Sequence, residues 1–527
     1  MSSKSYPYYN VDKINTLKDL VYEHSTGNKA DQTAFTFRKR KEVISKSYHQ
    51  FAEEVAALGK YLRRNYNEVN IGIYGENSYE WLLFYFAVIT SGKVAVPIDV
   101  GLNAEDSLDL IKRSNCGVVA YSETYQDIAE QWMGNGLRTP LLKLNEAGKH
   151  IKDAKEYDVT DDSITISEND IATIVYTSGT TGKSKGVMLT HKNICADIVH
   201  SCESFIIHGG VVAFLPFHHI FGMVVGIMMV YHYGYPIHIN HSLKYIMRDL
   251  KQFKPQTLML VPLYVETFYK NILDEVKKQG KEKKVKRAMR LADLLLRFGI
   301  DTRKKLFHEI TDSFGGELDN IICGGAALDP YYVGMFHRLG IEVYNGYGIT
   351  ECASVISVNR NRTNVTGSVG QVIPGCEVRI ADDGEILARG DNVFSGYYLD
   401  EKSTRESIID GWYHTGDMGY IECGSLYING RKKNLIILSN GENISPELIE
   451  QELSQLDSIC EVIVNGEDNR LIAEVFPSDS VIDGDYKTVI SGDIENWSKK
   501  QPMYRRIGDI RYRMTEFDKT TSKKIKR

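Results

Sequence analysis

The sequence predicts an α/β protein, with a large N-terminal domain of layered α/β subdomains and a β-rich subdomain, then a small α+β C-terminal domain. Three observations predict it. Short apolar, β-rich runs alternate with helical patterns over most of the chain, the signature of helices layered on buried, largely parallel sheets. After about residue 365 the texture changes to glycine-rich, alternating segments such as GSVGQVIPGCEVRIADDGEILARG, which read as turns and antiparallel strands. The length, 527 residues, exceeds what one core commonly serves.

In order, NIGIYG (70–75) reads as a strand that feeds the helical SYEWLLFYFAVITSG. VAVPI is the next strand, EDSLDLIKRS the next helix and GVVAYS the strand after it. IATIVYTSG, VVAFLPF, TLMLVP, NIICGGA and IEVYNGYG repeat the strand pattern, with helical segments between several of them. A boundary is expected near Gly430–Lys433, dividing residues 1–430 from residues 431–527.

Composition narrows the function classes. Hydrophobic residues make up 43% and charged residues 25% of the chain, ordinary for a globular protein. A net charge of −6 argues against a polycation that wraps nucleic acid. The eight cysteines are scattered without a CxxC, which argues against a zinc ribbon or a disulfide scaffold. MSSKSYPYYNVDKIN shows no apolar leader, and the most apolar stretch, Ile220 to Tyr231, falls short of the roughly 20 residues a bilayer span needs. The cytoplasm is the expected compartment.

The segment IVYTSGTTGKSKGVMLTH (174–191) carries the sharpest chemistry. A strand-like run opens into Thr177, Ser178, Gly179, Thr180, Thr181, Gly182, Lys183, Ser184, Lys185 and Gly186. The glycines permit a tight turn with exposed N–H groups, the hydroxyls add donors and the lysines add charge, a combination suited to a polyphosphate. A Walker A loop has four residues between its first glycine and Gly-Lys; here only Thr180 and Thr181 intervene, which disfavours a P-loop NTPase or kinase.

Further segments follow in order: CGGAAL (323–328), NGYGITE (345–351), WYHTGD (412–417), GRKKN (430–434) and KTTSKKI (519–525). Together with TSGTTGKSKG they resemble the motifs of the ANL adenylate-forming superfamily, which includes acyl-CoA synthetases, nonribosomal adenylation domains and luciferases. Ser184 stands where the family has proline, and Lys523 where it has glycine before the lysine matched by Lys524.

That resemblance implies ATP-dependent formation of an acyl-adenylate, release of pyrophosphate and transfer of the acyl group to a thiol, with ATP, Mg2+ and coenzyme A as cofactors and co-substrates. Thr177, Ser178, Gly179, Thr180, Thr181, Gly182 and Lys185 would cradle the β- and γ-phosphates. Gly324, Gly325 and Ala326 match the adenine-pocket segment. Asn345, Gly346, Tyr347 and Gly348 match the motif that continues into Thr350 and Glu351. Tyr347 would offer its ring to adenine and Thr350 would donate to the α-phosphate. Glu351 would hold Mg2+, a hard cation that prefers oxygen. Asp417 would accept from the ribose hydroxyls with support from Arg431. Lys524 would bring positive charge to the carboxylate and α-phosphate. A small mobile C-terminal domain would then turn about Lys433, withdraw Lys524 and present the loop around Gly441 to the thiol.

Amino-acid-activating relatives carry an aspartate early in the pocket segment to pair with the substrate ammonium. Leu215 to Gly222 reads LPFHHIFG, with none, and an unpaired buried ammonium is costly. LPFHH and GRKKNLIILSNGENISPELIE look most like fatty-acyl-CoA synthetases. A medium- or long-chain fatty acid is therefore expected. An acyl carrier protein is the alternative thiol acceptor, and an aryl acid the alternative substrate. His219 aligns with the family's pocket-gating histidine, with His218 beside it as the alternative. Gly348 stands where acetate-specific relatives have tryptophan, which implies a cavity continuing past it, lined by Met223, Ile349 and Ala353.

Two basic stretches remain. From Lys499 to Arg527 the tail is strongly basic. In EVKKQGKEKKVKRAMRLADLLLRFGIDTRKK (275–305), Val285, Ala288, Met289, Ala292, Leu295 and Leu296 fall at helical spacing. The expectation is a surface helix with that stripe on the core, and the alternative a contact with an anionic membrane surface.

Overall fold

The apolar runs become strands of two mainly parallel sheets. A computed structural model of the chain describes residues 6–156, 164–177, 184–438, 442–519, 525 and 527. The first sheet has seven strands, in the order Gly396–Tyr397, Lys185–Thr190, Ile171–Thr177, Val94–Ile98, Asn70–Tyr74, Val118–Tyr121 and Leu141–Lys143. Val94–Ile98 runs parallel to Asn70–Tyr74 and to Ile171–Thr177, which turns back antiparallel into Lys185–Thr190. Asn70–Tyr74 and Val94–Ile98 are buried at every position, which is why they read as unbroken runs rather than alternations.

The second sheet has nine strands. Its interior runs parallel through Ile237–Ile239, Val211–Ala213, Thr257–Leu260, Asn320–Cys323 and Glu342–Tyr347. The helix Tyr79–Ile89 is apolar at every position but Glu80, and every position but that one is buried. Ser78 starts it by accepting the Trp81 N–H at 3.1 Å.

The most apolar stretch does not form an ordinary helix. Phe221–Met228 is a π-helix, followed by a short α-helix Met229–Tyr233 that Gly234 ends in the left-handed region at φ 74°. No helix among the described residues is long and apolar enough to cross a membrane. Of the eight cysteines, Cys116, Cys195, Cys202, Cys323, Cys352 and Cys376 are buried, and Cys423 and Cys460 are exposed.

The chain divides into two units, residues 1–377 with 388–413, and residues 378–387 with 414–527. Strand Trp412–Glu422 passes into the second unit at His414 and forms a hairpin there with Ser425–Arg431, and that unit also holds a three-stranded sheet of Ile459–Glu467, Arg470–Pro477 and Ile507–Tyr512. Helices Pro446–Leu453 and Tyr486–Ser498 bury Ile449, Leu453, Ile490 and Ile494 against Val464 and Val475 of that sheet.

Candidate active site

Strands Asn320–Cys323 and Glu342–Tyr347 are parallel neighbours, with Cys323 beside Asn345. Their carboxyl ends therefore set Gly324, Gly325 and Ala326 beside the segment that runs through Gly346 to Thr350 and Glu351. In open α/β sheets the crevice beyond the carboxyl ends of the strands is where ligands bind. A Cβ on Gly324 would stand 3.3 Å from the Phe221 ring, and Gly325 has a φ of +85°. Among the described residues the buried Asn345 side-chain oxygen has no hydrogen-bond partner, an acceptor that desolvation makes costly to leave unmet.

Ser178, Gly179, Thr180, Thr181 and Gly182 lie outside the described residues. The hairpin that holds them is described: Thr177 pairs with Lys185 across its two strands. Arg113, at the end of helix Ala104–Arg113, donates to the Ser184 carbonyl and lies 5.5 Å from the Tyr176 ring centroid. The loop's downstream end, where serine replaces proline, is thus held by a guanidinium.

Lys185 connects to the other motif through one side chain. Its ammonium lies 4.9 Å from the Tyr397 ring centroid. The Tyr397 hydroxyl donates to Glu351 Oε1 at 3.0 Å. Burial first, and the Glu351 charge second, push the Tyr397 hydroxyl up, so it remains a neutral donor. Strand Gly396–Tyr397 is in turn fixed by pairing with Met188 and Val187.

Behind Glu351 the backbone turns sharply. Thr350–Cys352 is a 3-10 turn, and Ala353 and Ser354 follow at φ 54° and 131°. Such conformations persist only where neighbours hold them. Asp197 accepts the Val355 N–H at 3.0 Å, and the Asn392 side chain donates to the Val355 carbonyl at 2.9 Å. Asp197 is completely buried on helix His191–Ser204, and burial pushes its carboxyl well above the usual range.

This turn corrects the expectation for Gly348. A Cβ there would stand 1.6 Å from the Ser354 carbonyl oxygen and 2.9 Å from the Val355 Cα. The glycine admits backbone, not an open cavity. Met223 and Ala353 are buried, and backbone of Ser354 and Val355 occupies the position that a side chain on Gly348 would take. A cavity of about 300 Å3 lies elsewhere, between helices Pro262–Lys278 and Glu282–Arg297 and the segment 306–314.

The two histidines differ. His218 Nε2 lies 3.2 Å from Asp99 Oδ1, just past strand Val94–Ile98. His219 stacks obliquely on it at a centroid distance of 4.4 Å. The donor atoms of Asp99, His218 and His219 lie within 4.8 Å of one another, a mixed nitrogen–oxygen set better matched to a transition metal than to Mg2+. Asn77 fixes the preceding backbone, donating to the Leu215 carbonyl at 2.8 Å and accepting the Phe217 N–H at 3.0 Å. The pocket segment has no aspartate of its own, yet a carboxylate reaches it from just past the end of strand Val94–Ile98.

In the second unit, Asp417 and Arg431 are cross-strand partners in the hairpin, joined from Nε to Oδ1 at 2.8 Å. Asp417 is nearly buried. Lys433 sits in the turn Lys432–Asn434, where burial, and then the charges of Arg431 and Arg527, lower its ammonium. Its neighbour Lys432 binds Asp383 at 2.6 Å and Glu385 at 2.8 Å. Gly441 and Lys524 lie outside the described residues.

The structure thus brings Lys185 and Glu351 to one phenol, sets Gly324–Ala326 beside Asn345–Gly346, and pairs Asp417 with Arg431. Sequence reasoning missed Arg113, Asp197, Asn392 and Tyr397. Asp197 had a readable signal, an acid among the buried Ile194, Cys195 and Ile198 of one helix; the others act across long stretches of chain.

A family model described as AMP-binding enzyme matches residues 22–398. The long-chain-fatty-acid–CoA ligase FadD15 of Mycobacterium bovis is 30% identical over 440 residues, covering 77% of this chain and 72% of that protein. The long-chain-fatty-acid–CoA ligase 6 of Mus musculus is 27% identical over 515 residues, covering 88% and 74%. The solved o-succinylbenzoate coenzyme A synthetase MenE of Bacillus subtilis, in complex with ATP and a magnesium ion, shares the fold at a TM-score of 0.74 and 19% identity, covering 96% of this chain and 98% of that one.

Proposed function

Because the chain belongs to the AMP-binding enzyme family, we propose that it is an AMP-forming acid–thiol ligase that activates a medium- or long-chain fatty acid and passes it to coenzyme A. The observation that carries this reading is the run Lys185–Tyr397–Glu351, which ties the base of the phosphate loop to a carboxylate at the mouth of two parallel strands. The substrate carboxylate attacks the α-phosphorus of ATP, pyrophosphate leaves, and the thiol then attacks the acyl carbonyl and expels AMP.

Charge must be neutralised on both sides of that phosphorus. Thr177, the loop 178–182 and Lys185 hold the β- and γ-phosphates, and Arg113 positions the loop through Ser184. Thr350 donates to the α-phosphate. A hard divalent cation fits Glu351, an oxygen donor oriented by the Tyr397 hydroxyl, and when bound Mg2+ neutralises polyphosphate charge. Gly324, Gly325 and Ala326, with Asn345, Gly346 and Tyr347, take the adenine, where the unmet Asn345 oxygen suits an amino group. Asp417 takes the ribose hydroxyls, with Arg431 paired to its carboxylate across the hairpin. Lys524 serves adenylation, Lys433 is the hinge residue, and the loop at Gly441 serves thiolation. The acyl chain enters beside His219 under the apolar segment 220–228.

The test is ATP–pyrophosphate exchange across straight-chain, aryl and amino acids, followed by mass detection of the thioester. Exchange that rises with chain length and a coenzyme A thioester are expected. Exchange confined to aryl acids, or a product formed only on a carrier protein's phosphopantetheine, would replace this reading.

A further inference from the structure

We propose that the outward face of helix Glu282–Arg297, with the turn through Ile300, docks on an anionic lipid surface. The helix is apolar on two sides. Its inner stripe is the expected one: Ala292 is buried, and Val285, Ala288, Met289, Leu295 and Leu296 are half-buried. The outer face holds a second set. Leu291 is 47% exposed, Leu294 51%, Phe298 75% and Ile300 53%. Scattered exposed leucines need no explanation. These are not scattered, because 291, 294 and 298 follow helical neighbour spacing and so lie on one face.

Cations share that face. Lys283, Arg287, Arg290 and Leu294 succeed one another at intervals of three or four residues, and Lys286 and Arg297 flank them. All five cations are exposed, and among the described residues none has an ion-pair partner. The helix's acids do not offset them: Glu282 stands at its first position and Asp293 is taken by Arg338 at 3.4 Å.

The occupant follows from this mixture. An interfacial helix inserts leucine and phenylalanine to the depth of the acyl boundary while lysine and arginine reach phosphate. The helix runs about 24 Å, from the usual 1.5 Å rise, enough to lie along a bilayer surface. A second copy of the chain would set this basic face against its like, which charge repulsion opposes.

The test is flotation of the full chain with phosphatidylcholine vesicles, with and without phosphatidylglycerol. Wild-type protein should float with the anionic vesicles, and added salt should weaken the binding. Lys283→Gln, Arg287→Gln and Arg290→Gln should each weaken it by about fivefold, and together by about 100-fold. Leu291→Ser with Leu294→Ser and Phe298→Ser should weaken it by at least about tenfold with the melting temperature unchanged, since these side chains already face water. If the serine set lowers melting, the glutamine set decides alone. Equal flotation with neutral and anionic vesicles, no flotation, or unaltered binding by the glutamine set would overturn the proposal. So would a wild-type dimer that the serine set makes monomeric, which would give the face to a second copy.

Discussion

Tyr397 shows what a single side chain does here: one hydroxyl orients the proposed metal-binding carboxylate, and its ring meets the Lys185 ammonium. Tyr397→Phe should keep the ring and the fold but lose that bond. A hydrogen bond to a charged group is worth about 1.5–3 kcal/mol, so kcat/KM at limiting Mg2+ should fall by about tenfold or more. A magnesium titration checks it; an unchanged curve would detach Tyr397 from Glu351. Gly348 makes the opposite point, because its role is space for backbone. Gly348→Ala should destabilise by about 1–3 kcal/mol, the scale of overpacking, and should lower activity on short and long acids alike. Denaturant melts beside a chain-length series check both parts, and a stable variant that merely shortens the preferred acid would restore the open pocket. Glu351, Asp417 and Thr350 stand in motifs that are local in the chain. Tyr397 was not legible, because it meets Glu351 across 46 positions of chain.

The helix His191–Ser204 shows how one element serves fold and site together. Thr190 begins it with a reciprocal cap to Asn193, and Asp197 reaches from its middle to the turn behind Glu351. At its first position His191 is buried and accepts the Leu17 N–H at 3.1 Å. Burial holds its pKa down at about 4, against partial opposition from Asp170 and Asp19. The unfolded chain, with an ordinary histidine near 6.5, therefore binds the proton more readily. Stability from this group is complete above about pH 6.5 and is lost as the pH falls towards 4, by up to about 3 kcal/mol. Urea melts across that window should show the loss, and His191→Gln should flatten it; an equal slope in the variant would move the acid sensitivity elsewhere. Periodicity made the helix Glu282–Arg297 legible. The π-helix Phe221–Met228 was not, because an apolar run is the same text in either winding.

For the whole molecule, the alternation of strands and helices announced the layered sheets, and buried parallel strands made their runs continuous. Strand order was not legible, since it depends on pairing between distant segments. The proposed division of labour between half-reactions also belongs to this scale. Lys524→Ala should cut adenylation by at least about 100-fold, the scale of one preorganised electrostatic contact. Thioester formation from supplied acyl-adenylate should survive, and Lys523→Ala should change little. Equal loss in both half-reactions would refute a small domain that turns about Lys433. The winding of residues 221–228 has a consequence for how this chain tolerates change in length. Surface loops accept an added or missing residue cheaply. A π-turn is an α-helix with one residue too many, so losing one residue there would let the segment relax into the commoner winding. The relaxed helix would rotate Phe221 by about 100° against the residues that follow, away from Gly324. Length variation in this stretch would thus leave a well-folded chain with a missing wall, so its residue count is a marker of function that substitutions alone do not carry.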